Sequence, residues 1–228
     1  MNFIFMLTRA DRTIEDADHL IDSACELGVK HIGFKDVGVP LAAMRELVRK
    51  IRQRGGVSYF EVVSTTADAV QRSLETGRAI GADCILGGTD LEAARRILGD
   101  LSGYFPFPGR PVGHPTRLEG SAALVADHAR RASAMGCGGV DLLAYRATDA
   151  DPLELVRAAR NALPGRKLIV AGGVHSKQQI YDLAHAGVEA FTVGSAIFAG
   201  AFSPTKGSLR GQILDILDTC SNVPRALA

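Results

Sequence analysis

The chain has 228 residues, of which 46% are hydrophobic and 22% charged, so it can bury a substantial core and is not a disordered protein. Its 26 basic and 25 acidic residues leave a net charge of +1, which argues against a surface built to bind nucleic acid or an anionic membrane. No apolar run approaches the ~18 residues that a membrane span needs.

The chain begins MNFIFMLTRAD, a short apolar stretch with no basic segment before it. We therefore expect a buried strand here rather than a secretory signal. The cysteines (Cys25, Cys84, Cys137 and Cys220) lie far apart and form no CxxC pair. This spacing favours a reduced, cytoplasmic protein.

Short apolar runs then alternate with amphipathic stretches. Several of the runs are almost continuously apolar, which is typical of strands buried on both faces. The predicted strands are 3–8, 31–37, 57–63, 84–89, 104–108, 140–146, 168–172 and 190–194. The predicted helices lie near 14–27, 41–54, 67–80, 90–98, 119–135, 152–162, 177–186 and 207–219.

Helix start and stop signals support this division. Asp151-Pro152 is typical of a helix start, and Ser176 with Gln179 forms a capping box. Glycines follow several predicted helices, where the left-handed C-terminal conformation is expected: Gly28, Gly55, Gly81, Gly136 and Gly187.

Strand starts recur about every 27 residues, with no linker between units. We therefore predict an α/β protein whose residues 1–228 form a single (βα)8 TIM barrel. A doubly wound open sheet is the alternative, although no GxGxxG motif follows the first strand.

In such a barrel, the chemistry belongs at the carboxyl ends of the strands. Predicted strand seven ends in Gly172-Gly173, and strand eight ends in Val193-Gly194-Ser195. Glycines leave backbone N–H groups uncovered, so an anion can approach them closely. The alternative is that these glycines only permit tight turns.

The segment LIVAGGVHSKQQIYDLAHAGVEAFTVGSAIF closely resembles the ribulose-phosphate-binding barrel superfamily. Members of that superfamily include tryptophan synthase alpha chains and histidine-biosynthesis isomerases. The resemblance implies a (βα)8 barrel that holds a phosphate group at Gly172, Gly173, Gly194 and Ser195.

Predicted strand two reads HIGFKDV, and its alternation points Lys35 into the barrel mouth while Ile32 and Phe34 face the helices. Burial lowers a lysine pKa, and a neutral amine can form a Schiff base with a carbonyl. A structural ion pair and charge compensation for phosphate are the alternatives. Glu61 on strand three should face Lys35, as a general base, a counter-ion or a structural partner.

Residues 6–36 also resemble the opening of methanofuran-pathway aldolase-type synthases, which act on glyceraldehyde phosphate. That resemblance implies a Schiff base at Lys35, followed by the acidic Asp36, which we take as a substrate-binding candidate. The family has a further lysine on strand six, where this chain has Tyr145-Arg146.

Further candidates follow the other predicted strands. Tyr145 at the end of strand six is a candidate proton donor, and Arg146 a candidate clamp for an anion. Asp141, nearer the start of that strand, could serve structure or catalysis equally. The proline-rich loop 105–116 suggests a lid with Arg110 and His114 as its polar residues, and Arg9 after strand one is another candidate anion clamp.

These residues favour a class I aldolase-like lyase acting on a phosphorylated sugar or keto acid, with Lys35 forming the imine and Glu61 or Tyr145 moving the proton. The alternatives are a phosphosugar isomerase, epimerase or decarboxylase working through an enediolate, and a non-catalytic phosphometabolite-binding barrel. We expect a small phosphorylated metabolite as the partner, no cofactor or metal, and neither nucleic acid nor membrane. A homo-oligomer is left open.

Overall fold

The computed structural model describes residues 1–223, and in that range eight parallel strands lie in one sheet. Each strand is short and mostly buried. The strands are β1 (Asn2–Met6), β2 (His31–Lys35), β3 (Val57–Glu61), β4 (Cys84–Leu86), β5 (Tyr104–Phe105), β6 (Gly139–Leu142), β7 (Lys167–Val170) and β8 (Ala190–Val193).

Helices connect successive strands and cover the outside of the sheet. They are α1 (Ala17–Glu26), α2 (Leu41–Gln53), α3 (Ala67–Ile80), α4 (Leu91–Leu98), α5 (Ala122–Ala134), α6 (Pro152–Asn161), α7 (Lys177–His185), α8 (Ser195–Phe198) and α9 (Leu209–Asn222).

The strand order is β6-β7-β8-β1-β2-β3-β4-β5, with every neighbouring pair parallel. The two ends of this order meet. The amide of Gly138 donates to the carbonyl of Tyr104 at 3.1 Å, and the amide of Asp141 donates to that of Pro106 at 3.0 Å. The sheet is therefore a nearly closed barrel, which confirms the predicted (βα)8 fold over the open-sheet alternative.

The strands bury both faces, and the two faces form separate apolar clusters. The barrel interior is filled by Ile4, Met6, Tyr59, Leu86, Phe105, Ile169 and Ala190. The larger cluster lies between the sheet and the helices and includes Ile32, Phe34 and Phe60. Gly33 points into the interior, where a Cβ atom would lie 2.3 Å from the Met6 sulfur, so only glycine fits there without a shift.

The helix termini follow the predicted signals. Ser176 and Gln179 form the capping box at the start of α7, and the Asp151 side chain accepts from the Glu154 amide at the start of α6. The predicted helix-ending glycines all have positive φ: Gly28, Gly55, Gly81, Gly136 and Gly187.

Two connections differ from the prediction. β6 ends at Leu142 instead of continuing to 146, and the chain turns into a short 3-10 helix at Ala144–Arg146. The predicted loop five contains an antiparallel hairpin, Arg110–Val112 paired with Arg117–Glu119, which delays the start of α5 to Ala122. The early end of β6 moves Tyr145 and Arg146 from the positions that alternation along a longer strand predicts.

Candidate functional site

A cavity of about 140 Å³ opens at the carboxyl ends of the strands. Its lining comes from the ends of β1, β2 and β3, from the 3-10 helix, and from the connections after β7 and β8. The lining side chains and backbone belong to Met6, Thr8, Asp11, Lys35, Glu61, Leu143, Arg146, Gly172, Gly173, Val174, His175, Thr192, Val193, Gly194, Ser195 and Ala196.

Lys35 is the last residue of β2, and its side chain is buried in this cavity. Its Nζ lies 2.9 Å from Asp11 Oδ1 and 3.1 Å from Glu61 Oε1. Register explains the second contact, because Lys35 and Glu61 stand side by side on β2 and β3.

This environment reverses the expected pKa of Lys35. Burial lowers the pKa, but the carboxylates of Glu61 and Asp11 together outweigh burial, and the pKa lies above its ordinary value. The sequence-based expectation of a depressed lysine pKa was therefore wrong. That expectation followed from burial, with Glu61 as one possible counter-ion, whereas two acidic partners stabilise the ammonium form.

Asp11 is the residue that sequence reasoning missed. It lies in a tight hairpin just after β1, where Thr8–Arg9 pairs with Arg12–Thr13. Ala10 and Asp11 adopt left-handed backbone conformations, with φ of 48° and 58°. Such values cost energy for residues other than glycine and concentrate at functional sites. The available signal was an acidic residue directly after a strand that ends at the barrel mouth.

The Asp11 carboxylate binds two cations. Both terminal nitrogens of Arg146 donate to it at 2.9 Å, in addition to the ammonium of Lys35. Burial raises the pKa of Asp11, but the hydrogen bond from Arg146 and the charge of Lys35 bring it well below its usual range. Asp11 is thus ionised and joins β2 to the 3-10 helix.

The hairpin is fastened to the end of β2 by Thr13. Its hydroxyl donates to the Lys35 carbonyl at 2.8 Å and accepts from the Lys35 amide at 2.8 Å. These bonds fix the backbone of Lys35. The position of the ammonium therefore depends on this fixed backbone as well as on the two carboxylates.

The two predicted phosphate glycines after β7 pack directly against the 3-10 helix. Gly172 has φ of +71°, and a Cβ atom there would lie 2.3 Å from Arg146 Nε. Gly173 has φ of +78°, and its Cβ would lie 2.8 Å from Tyr145 Cβ. Both glycines therefore allow a turn and a close approach at once.

The predicted glycine after β8, Gly194, lies against the end of β1 and the residues that follow it. A Cβ atom on Gly194 would lie 2.6 Å from the Thr8 hydroxyl oxygen. Ser195 begins α8 and is exposed at the cavity. Among residues 1–223, no protein acceptor takes the amide hydrogens of Gly173 or Gly194. Uncovered amides at a glycine turn are suited to bind an anion.

Asp141 is fully buried and points into the barrel interior. Its register partner on β7 is Ile169, a residue of the interior cluster. Neither carboxyl oxygen has a hydrogen-bond partner in the described part of the chain. Burial, followed by the charge of Glu61, raises the pKa of Asp141 well above its ordinary value. Because β6 ends at Leu142, Asp141 lies near the carboxyl end of the strand rather than near its start.

Several predicted candidates do not line the cavity. Tyr145 lies after the end of β6, packs against the outer core and has a buried hydroxyl, whose burial raises its pKa to about 12. Asp36 accepts hydrogen bonds from the Val63 amide and the Ser73 hydroxyl, on the helix side of β2.

The remaining candidates are on the surface around the mouth. The guanidinium of Arg9 lies over the Phe198 ring, 5.3 Å from its centroid. Arg110 and His114 are exposed on the loop-five hairpin. Instead, the structure adds His175, whose Nδ1 lies 2.8 Å from the Gly173 carbonyl, to the cavity lining.

No group of three or more histidine, cysteine, aspartate or glutamate side chains in residues 1–223 is arranged to hold a metal ion. In the same range, every helix is too short or too polar to span a membrane.

No protein-family model matches the chain, and no curated protein matches its sequence. Its fold is similar to that of orotidine 5'-phosphate decarboxylase from Pyrococcus horikoshii OT3, with a TM-score of 0.67 and 16% identity over 97% of this chain and 100% of that chain. It is also similar to thiamine phosphate pyrophosphorylase from Pyrococcus furiosus, with a TM-score of 0.61 and 15% identity over 96% of this chain and 94% of that chain.

These similarities define the chain as a (βα)8 barrel. They confirm the predicted (βα)8 fold. At this identity they establish the architecture alone, so the chemistry has to be argued from the cavity.

Proposed function

We propose that the chain is an enzyme that binds a small phosphorylated sugar or keto acid and stabilises an enediolate-type anion formed from it. The observation that carries the proposal is the ammonium of Lys35, held at 2.9 and 3.1 Å by two carboxylates inside the cavity that both glycine turns line. A preorganised cation is most effective where negative charge develops during a reaction.

Two backbone amides support a position for the phosphate in the cavity. The free amides of Gly173 and Gly194 offer hydrogen bonds to its oxygens. Arg146 lines the same cavity and suits a second anionic or polar end of the substrate. The cavity volume of about 140 Å³ lies below the usual range for drug-sized ligands, which favours a compact substrate.

The proposed reaction is a proton transfer next to a carbonyl. Glu61 removes a proton from the carbon beside the carbonyl, and the electron pair of that C–H bond forms the enediolate. The ammonium of Lys35 stabilises the negative oxygen. Return of the proton from Glu61 to the former carbonyl carbon, with the hydroxyl proton passing from one oxygen of the enediolate to the other, gives an isomer. Addition of a proton from water to the opposite face of the same carbon gives an epimer, and the proton on Glu61 then passes to water.

A second candidate is the class I aldolase-like lyase. The observation in its favour is that Lys35 places a buried primary amine in the cavity. We rank it second because imine formation needs the neutral amine, and the acidic neighbours of Lys35 raise its pKa.

One set of incubations distinguishes the proton-transfer reaction from the aldolase-like lyase. Phosphorylated C3–C6 sugars and keto acids are incubated with the protein in D2O and followed by NMR, in parallel with borohydride reduction and peptide mass spectrometry. Deuterium incorporation without carbon–carbon cleavage, and without a Lys35 adduct, supports proton transfer. An adduct on Lys35 with cleavage products supports the lyase, and binding without turnover of any compound contradicts both.

A further inference from the structure

The buried carboxyl of Asp141 is the group that the proposed reaction does not use. It is 0% exposed, and both its oxygens lack a hydrogen-bond partner in residues 1–223. Its register beside Ile169 directs it into the barrel, in the region that the charged residues of the mouth occupy. A polar group at such a position needs an explanation beyond packing.

The charges around Asp141 come from several elements. Glu61 on β3, Lys35 on β2 and Arg146 on the 3-10 helix act on its carboxyl, and Asp11 of the hairpin binds both of those cations. Its register partner Ile169 belongs to the apolar cluster of the barrel interior.

The charges of this cluster balance without Asp141. Lys35 and Arg146 contribute two positive charges, and Asp11 and Glu61 contribute two negative charges. An ionised Asp141 would make the cluster net negative just beneath the cavity, and a phosphate anion would be repelled from it.

We propose that Asp141 remains a neutral carboxylic acid beneath the site and so leaves the charged cluster balanced for a phosphorylated substrate. This inference rests on the proposed anion binding in the cavity. Asp141 does not line the cavity itself. Its isolation from hydrogen-bond donors supports the neutral form, because an unpaired buried carboxylate is strongly disfavoured.

The protonation state can be read directly in the wild-type protein. Infrared spectroscopy at pH 7 should show the carbonyl band of a protonated carboxyl without a strong hydrogen bond, and Asp141→Asn should remove that band. An infrared spectrum of the wild type without such a band would overturn the proposal, even if the variant fails to fold.

The effect on binding is measured with inorganic sulfate, whose charge does not change near neutral pH. Calorimetry at pH 7 should give dissociation constants for the wild type and Asp141→Asn that agree within about twofold, since both side chains are neutral. A variant that binds sulfate tenfold or more tightly would mean that Asp141 is ionised in the wild type, and would contradict the proposal.

The pH dependence of sulfate affinity distinguishes a titrating Asp141 from a side chain that only fills space. If the affinity of the wild type falls on raising the pH to 9, Asp141→Asn should lose less affinity, and an unchanged wild-type affinity would mean that Asp141 stays neutral up to pH 9. An equal loss in Asp141→Asn contradicts the proposal. If the wild type binds no sulfate while the infrared band is present, the proposed anion site fails and the neutral Asp141 stands.

Discussion

Asp11 and Arg146 stand 135 positions apart in the chain, yet both terminal nitrogens of Arg146 donate to the Asp11 carboxylate at 2.9 Å. Arg146 also donates to the Thr116 carbonyl at 3.1 Å. The pair therefore connects the hairpin after β1 with the 3-10 helix after β6 and with the loop-five hairpin. The same carboxylate holds Lys35, so these connections also orient the proposed catalytic ammonium.

Replacing Lys35 should lower both the free energy of unfolding and the kcat of the protein that remains folded. Lys35→Met leaves Asp11 and Glu61 without their shared cation, which should lower the free energy of unfolding by about 3–5 kcal/mol. In the fraction that remains folded, kcat should fall at least about 100-fold. The control is Lys177→Met, a surface lysine 3.3 Å from Asp215. Equal kcat in the two variants would remove Lys35 from the mechanism.

Asp11 should contribute to stability in a pH-dependent way. Its pKa is lower in the folded than in the unfolded protein, so its contribution is present above the unfolded value of about 4 and is lost as the pH falls below it. Asp11→Asn should cost roughly 2–3 kcal/mol at pH 6, and less as the pH approaches 2. Urea unfolding at pH 6, 4 and 2 measures this. Asp127→Asn, on the exposed face of α5, should track the wild type. A cost of Asp11→Asn that does not change with pH would contradict the assignment.

Gly172 tests the contact between the glycine turn and Arg146. Gly172→Ala meets both a left-handed backbone, at φ of +71°, and the Arg146 side chain. Gly165→Ala is a matched control, because φ is +68° there and nothing lies within 4 Å of the added Cβ. We expect each to lose about 1–2 kcal/mol from backbone strain, and Gly172→Ala to lose affinity for phosphate in addition. Equal phosphate affinity in both variants would argue against a role for this turn in anion binding.

Tyr145 should be dispensable for catalysis. Its hydroxyl is buried outside the cavity without a hydrogen-bond partner in the described residues. Tyr145→Phe should keep kcat within about twofold of the wild type and should be at least as stable, because it removes an unsatisfied polar atom. A loss of kcat beyond tenfold would restore Tyr145 as the proton donor that the sequence suggested.

The barrel and its inward lysine follow from local patterns. Apolar runs at regular spacing predicted the eight strands, and alternation along β2 predicted that Lys35 faces inward while Ile32 and Phe34 face the helices. Alternation failed on β6 because the strand ends at Leu142 and the chain coils before Tyr145.

Local sequence patterns could not predict the contacts of Asp11. They depend on left-handed residues that are not glycine and on a partner from the far side of the barrel. The pKa of Lys35 lies above its ordinary value because Asp11 adds a second carboxylate to Glu61, whose position beside Lys35 the strand pattern had already predicted.

The most direct test of the proposed phosphate site is a crystal structure of the chain with inorganic phosphate. The proposal predicts a phosphate ion in the cavity, with its oxygens within hydrogen-bond distance of the amides of Gly173 and Gly194 and with Lys35 still paired to Glu61. A cavity that remains free of phosphate at saturating concentration, or phosphate bound only elsewhere on the surface, would contradict it.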